Sequence, residues 1–179
     1  MALGATIHKI ELEINDLDRS HFDRQSLSLA RHPSETEERL MVRLLAYALH
    51  AGEGLTFGRG ISNDEDATLW QHDLTGVMRL WVEVGLPDER LLRRASGRAS
   101  QVILYTYGGR SAAQWWTRHG TELARLSNLR VVSLPAEFTQ AVGALASRNQ
   151  KVQVMVQDSL VWMTLDDQTL TVQPVVLKE

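Results

Sequence analysis

The chain has 179 residues, 44% hydrophobic and 23% charged, an ordinary globular composition with enough apolar residues for one domain with a real core. The absence of cysteine excludes disulfides, thiolate metal sites and a cysteine nucleophile. A formal net charge of −3 argues against strong, unselective nucleic-acid binding, so any such role must use a local patch. No apolar run is long enough to span a bilayer, and the start, MALGATIHKIELEIND, lacks a basic segment followed by an apolar block. The expectation is a cytoplasmic protein without a signal peptide or membrane segment.

Residues 5–14 alternate, with Thr6, His8, Ile10, Leu12 and Ile14 set against Lys9, Glu11 and Glu13, which reads as a half-buried strand. A turn begins at Asn15-Asp16-Leu17-Asp18, and Ser26 to Ala30 reads as the return arm. His32-Pro33-Ser34 opens a helix, with Ser34 as cap and Glu37 completing a capping box. Leu40, Met41, Leu44, Leu45 and Ala48 form its apolar face, and it ends near Gly52 or Gly54. Glu35, Glu37 and Glu38 suit the first turns of a helix, and Glu35 is spaced to pair with Arg39. The alternative is that one of these glutamates reaches a metal. Leu55 to Ile61 is a short strand with glycines at 58 and 60.

The stretch from Asp66 to Arg98 organises the rest. Asp73-Leu74-Thr75-Gly76 has the residues of a type I turn. Closed as a simple hairpin, it sets Gln71 opposite Met78, Leu69 opposite Leu80 and Ala67 opposite Val82. On the other face Trp70 meets Arg79, Thr68 meets Trp81, and Asp66 meets Glu83. Directly opposed side chains have their Cβ atoms ~5 Å apart. Two carboxylates so placed need a cation or a proton. In the other reading the first arm is shorter and Asp66 is solvated in the acidic loop Asn63-Asp64-Glu65-Asp66. After Gly85-Leu86-Pro87 a helix begins, with Leu91, Leu92, Ala95 and Ala99 as its buried stripe. Arg90, Arg94 and Arg98 form a basic stripe at spacing four, beside Arg93. Such a stripe is commonly a solvated face.

Beyond it come a strand over 102–107, a helix from Ser111 to about Arg125 with Trp115 and Trp116 toward the core, and a strand over 129–134. A helix follows from Pro135, then strands over 152–157, 160–165 and 169–175. The six histidines show no metal-ligand spacing, and there is neither a Gly-rich phosphate loop nor a serine elbow. The expected fold class is α/β (α+β), with helices packed on a mixed sheet.

The segments HPSETEER (32–39), LWVEVGLPDERLLRRAS (80–96) and YTYGGRSAAQWW (105–116) resemble the YaeQ family over nearly the whole chain. Those bacterial proteins have no settled activity, and their fold is similar to the PD-(D/E)XK nucleases. The resemblance implies a core of helix, three strands, helix and strand within a single domain. It places an N-terminal hairpin over 1–31, the core over 32–134 and C-terminal strands over 150–179. In the nucleases a helix glutamate and two strand acids bind magnesium, and a lysine two residues after the second strand acid assists the attacking water. Carried over, Glu83 matches that second strand acid, Asp66 the first and Glu38 the helix acid, with Glu35 in reserve and Asp73 the second choice for the aspartate. The lysine position holds Gly85, and the nearby cations, Arg93 and Arg94, are poor general bases.

Two or three carboxylates with open positions could hold Mg2+ against a phosphodiester. Arg90, Arg94 and Arg98 could grip phosphates of DNA or RNA, with Arg94 also pointing to Glu83. The leading expectation is a degenerate PD-(D/E)XK-like site that binds nucleic acid or regulates a partner, with weak or no Mg-dependent cleavage. The alternatives are an active Mg-dependent nuclease and a protein-interaction module without a nucleic-acid role. The oligomeric state is not legible in the sequence.

Overall fold

The computed structural model describes residues 4–59 and 65–179. Gly60 and Ile61, at the end of the strand expected over 55–61, and Asn63 and Asp64 of the acidic loop lie outside the described residues. The fold is mixed α/β, with two sheets and four helices among the described residues. Contacts divide the chain into two compact units, Met1–Leu49 with Glu137–Pro174 and His50–Ala136 with Val175–Glu179. No linker composition marks this division, because the chain passes between the units at helix ends and at the short segment after Val172.

The first unit is built on a five-stranded sheet. It contains β1 (Thr6–Asp16), β2 (His21–Arg31), β8 (Asn149–Gln157), β9 (Leu160–Leu165) and β10 (Gln168–Val172), in the order β10-β9-β8-β1-β2. All pairs are antiparallel except β1 with β8. Period-two alternation buries Ile10, Leu12, Ile14, Val152, Val154, Val156, Val161, Met163 and Leu165 on one face. Helix α1 (Glu37–His50) is buried all along from Leu40 to Ala48, Arg43 and Tyr47 included, so its burial is wider than one amphipathic stripe. Its cap also differs from the expected Ser34. The Arg39 amide donates to Thr36 Oγ1 at 3.1 Å, while Ser34 hydrogen-bonds to the His32 ring. The helix therefore starts at Glu37, and Glu35 lies before it. Helix α4 (Ala136–Ala144) follows the second unit.

The second unit is built on a six-stranded sheet. Its strands are β3 (Leu55–Phe57), β4 (Leu69–His72), β5 (Met78–Val84), β6 (Gln101–Thr106), β7 (Leu129–Ser133) and β11 (Val175–Lys178), in the order β11-β7-β6-β5-β4-β3. β3, β4 and β5 form an antiparallel meander. β5, β6 and β7 run parallel, joined through α2 (Glu89–Arg98) and α3 (Arg110–Leu123), and β11 closes the far edge antiparallel. The order α1, β3, β4, β5, α2, β6 is the helix, three strands, helix and strand expected of the core. Trp81, Leu92, Ala95, Ala99, Val102, Leu104, Leu123, Leu129 and Val131 pack into one buried cluster, against which Trp115 and Trp116 lie half-buried.

The hairpin turn is where the sequence places it, since the Gly76 amide donates to the Asp73 carbonyl at 3.0 Å. The register is not. Leu69 faces Val82, Trp70 faces Trp81, Gln71 faces Leu80 and His72 faces Met78, with an irregularity between Gln71 and His72. Gly76 has φ +84, so the loop is a type I turn followed by a left-handed residue, which adds one position to β5. The second irregularity adds another. Beyond the irregularity, from Gln71 and Leu80 onward, the slip is two residues, which keeps each side chain on its expected face but moves its partner along by one alternate position.

Candidate functional site

The slip decides where the two strand acids go. Thr68, not Asp66, comes level with Glu83, and its amide and hydroxyl donate to the Glu83 carboxylate at 3.3 Å and 2.8 Å. The Trp81 indole, two residues back on the same face, donates to Glu83 Oε1 at 2.8 Å. Trp81 is fully buried and Glu83 is 6% exposed, so the carboxylate is held in the interior by donors aimed at both oxygens. The spacing of Trp81 and Glu83 was a readable signal of this contact. Thr68 could be found only with the register in hand.

Asp66 is also buried, but its hydrogen bonds go to Arg59. Arg59 Nε and Nη2 reach Oδ2 at 2.7 Å and Oδ1 at 3.1 Å, and the Arg59 amide adds a bond at 3.2 Å. The guanidinium's hydrogen bonds hold the Asp66 carboxyl below its ordinary range. The expected direct facing of Asp66 and Glu83 is therefore not formed: Asp66 bonds to Arg59, and Glu83 accepts from Thr68 and Trp81. Arg59 was missed because it sits among glycines beyond the strand it serves.

Asp73, the second choice for the aspartate, belongs to the turn. Its carboxylate accepts from the Thr75 hydroxyl at 2.6 Å, the Thr75 and Val77 amides, and Arg79. The Thr75 hydroxyl bond, followed by the amide and guanidinium bonds, lowers its pKa to about 2.

Glu35, Glu37 and Glu38 belong to the first unit. Glu38 accepts from the buried Thr139 hydroxyl on α4 at 2.8 Å. Glu37 opens α1, where its charge suits the helix dipole. Glu35 is 4% exposed and forms the pair with Arg39 that its spacing implied, at 2.8 Å. Arg43, eight residues on, adds bonds to both oxygens at 2.8 Å and 3.2 Å. Among the described residues, no three His, Asp or Glu side chains are grouped so as to hold a metal ion.

Helix α2 starts directly after β5, with Asp88 as its cap accepting from the Arg90 amide. Arg90, Arg94 and Arg98 lie on its exposed face, while Arg93 pairs with Glu89 at 3.1 Å and Glu122 at 3.5 Å. Gly85, in the lysine position of the nucleases, has φ +101 and donates its amide to the Tyr105 carbonyl at 2.8 Å. A side chain there would be strained by the backbone.

A family model described as YaeQ protein matches residues 1–174. The chain belongs to the YaeQ family. It is 43% identical over 173 residues to the uncharacterized protein YaeQ of Escherichia coli (strain K12), covering 96% of this chain and 95% of that protein. It is 41% identical to the Salmonella typhi protein of the same name over 174 residues, covering 97% and 96%. The crystal structure of YaeQ from Xanthomonas axonopodis pv. citri superposes with TM-score 0.93 at 45% identity, covering 97% of this chain and 98% of that one. The Pseudomonas syringae YaeQ structure gives TM-score 0.93 at 35% identity, covering 98% and 97%. The mixed α/β architecture is thus that of solved YaeQ structures. Among the described residues, no helix is long and apolar enough to cross a membrane.

Proposed function

We propose that this YaeQ-family chain carries a degenerate PD-(D/E)XK-like site that binds nucleic acid, with weak or no Mg-dependent cleavage. The observation that carries this reading is the exposed row Arg90, Arg94 and Arg98, placed by α2 just after the strand that holds Glu83. Guanidinium groups suit phosphates, and a row at helical spacing can meet successive ones along a strand.

The case against turnover is chemical. Magnesium takes hard oxygens in an octahedral shell with waters in open positions. Both Asp66 oxygens bond to Arg59, and both Glu83 oxygens accept from Trp81 or Thr68. That is the donor chemistry of structural carboxylates rather than of an open shell, so these residues do not fit the ion as arranged. The lysine that would serve as base is Gly85, and base assistance is worth about 10²–10⁴-fold where it operates. Gly85→Lys is no clean restoration, because φ +101 strains any side chain.

The test is binding of labelled single- and double-stranded oligonucleotides across a salt series, for wild type and Arg90→Ala/Arg94→Ala/Arg98→Ala. The expected result is binding that weakens with salt, and a log–log salt slope on duplex reduced by about 2–3 in the triple variant. Binding that ignores both salt and the triple substitution would overturn the nucleic-acid reading.

A further inference from the structure

The sheet of the first unit ends in a strand whose length stands apart from the other edges. β2 runs for 11 residues and, among the described residues, pairs on one side only, with β1. The remaining edge strands are short: β10 has 5 residues, β11 has 4 and β3 has 3. A long open edge is a template for another strand, and proteins ordinarily keep such edges short, covered or interrupted by proline. β2 contains no proline.

The open side can be assigned from its hydrogen bonds. The Ala30 carbonyl accepts from Arg43 Nη2 at 2.7 Å, so it points away from β1. Backbone groups of alternate residues point the same way, so Arg24, Ser26 and Ser28 also present theirs to the open side. The Arg24 amide is bonded by its neighbour's carboxylate, Asp23 Oδ1, at 2.8 Å. The two side-chain caps, on Arg24 and Ala30, therefore fall three residues on either side of Leu27.

The charges have the same symmetry. Asp23 and Arg31 stand four residues before and four after Leu27, both half-buried on the inner face. Asp23 also accepts from Gln25 Nε2 at 2.7 Å, and Tyr47 donates to Gln25, so this carboxylate is oriented along the edge. Arg31 reaches the Glu35 carbonyl through Nη1 at 2.8 Å.

We propose that β2 is a self-association edge, pairing antiparallel with β2 of a second copy of this chain about a twofold axis at Leu27. Arg24, its amide released from Asp23 Oδ1, then exchanges backbone bonds with Ala30 of the second copy, and Ser26 with Ser28. Leu27 meets Leu27, Gln25 meets Leu29, and Asp23 meets Arg31 twice. These last three are non-hydrogen-bonded positions, where opposed side chains come closest. An edge that shields itself with charge repels most partners, but here the two signs sit at mirrored positions, so this chain is its own complement. Arg43 can stay on Ala30, because a carbonyl oxygen accepts two bonds. Phe22, 63% exposed on the outer face, falls opposite His32 at each end of the seam.

The experiment is light scattering behind size exclusion over a concentration series, with folding checked by circular dichroism. Wild type should show twice the monomer mass at high concentration and dissociate on dilution. Asp23→Arg and Arg31→Asp should each weaken the dimer by about tenfold or more, and the double exchange Asp23→Arg/Arg31→Asp should restore it. Ser26→Pro removes an outward amide without touching the β1 ladder, so it should give a folded monomer. A wild-type chain that stays monomeric throughout would overturn the proposal. So would a dimer that survives Ser26→Pro and both single reversals, or a double exchange that fails to restore pairing.

Discussion

The two units each bury a glutamate, and they satisfy it in different ways. Glu35 is met by guanidinium groups, Arg39 and Arg43, from the first and second turns of α1. Glu83 is met by an indole, a hydroxyl and an amide, from its own strand and the one beside it. The difference teaches what each acid is for. An ion pair buried with its counter-charges closes the space around it and ties α1 to the end of β2, since Arg43 also holds the Ala30 carbonyl. A carboxylate held by Trp81 and Thr68 ties together two neighbouring segments of the candidate site, with a donor on each oxygen.

The comparison is broken most sharply at Arg43. Arg43→Met should cost about 3–5 kcal/mol in denaturant unfolding, because Glu35 is left buried with only part of its counter-charge. Replacing both, with Glu35→Leu/Arg43→Met, should recover most of that loss, since a well-packed apolar pair avoids the desolvation of both ions. If the double variant is no more stable than Arg43→Met, the ion-pair account of Glu35 is wrong.

Glu83→Gln should cost less, about 1–3 kcal/mol, because one amide nitrogen replaces an acceptor that faces a donor. Equal losses at Glu83 and Arg43 would erase the distinction between the two sites. Smaller again, Thr36→Ala should lower stability by about 1 kcal/mol through loss of the α1 cap, whereas Ser34→Ala should have little effect. The reverse order would return the helix start to Ser34.

The smallest effect is at the hairpin turn of the second unit. Asp73 titrates at about 2 when folded, against an ordinary 3.8. Its folded pKa is depressed, so its contribution is complete above the unfolded value and is lost as pH falls from about 4 toward 2. Asp73→Asn should lower stability modestly at neutral pH and flatten the acid limb between about pH 4 and 2, so that variant and wild type converge at low pH.

Local chemistry made much of this legible. The Asp73–Gly76 turn, the faces of both hairpin arms, the Glu35–Arg39 pair and the element order of the core all follow from spacing and residue type. What the sequence did not reveal depends on cooperation between distant or competing groups. A glycine can be seen at 76, but not that it adds a residue to β5, nor that a second irregularity follows at Gln71. Those two positions together set Thr68, rather than Asp66, opposite Glu83. Ser34 and Thr36 are both hydroxyl residues before a helix, and the choice between them accompanies the placement of Glu35 against Arg43. The division into two sheets rests on β1 pairing with β8, about 140 residues away, which no local pattern encodes.

The most direct measurement of the central claim is cleavage of single- and double-stranded DNA and RNA with magnesium or manganese, for wild type and Glu83→Ala at matched folded fractions. The account predicts little or no turnover by the wild type and no activity for Glu83→Ala to remove. Robust wild-type turnover abolished by Glu83→Ala would contradict it, because Glu83 would then be a working metal ligand rather than a carboxylate committed to Trp81 and Thr68.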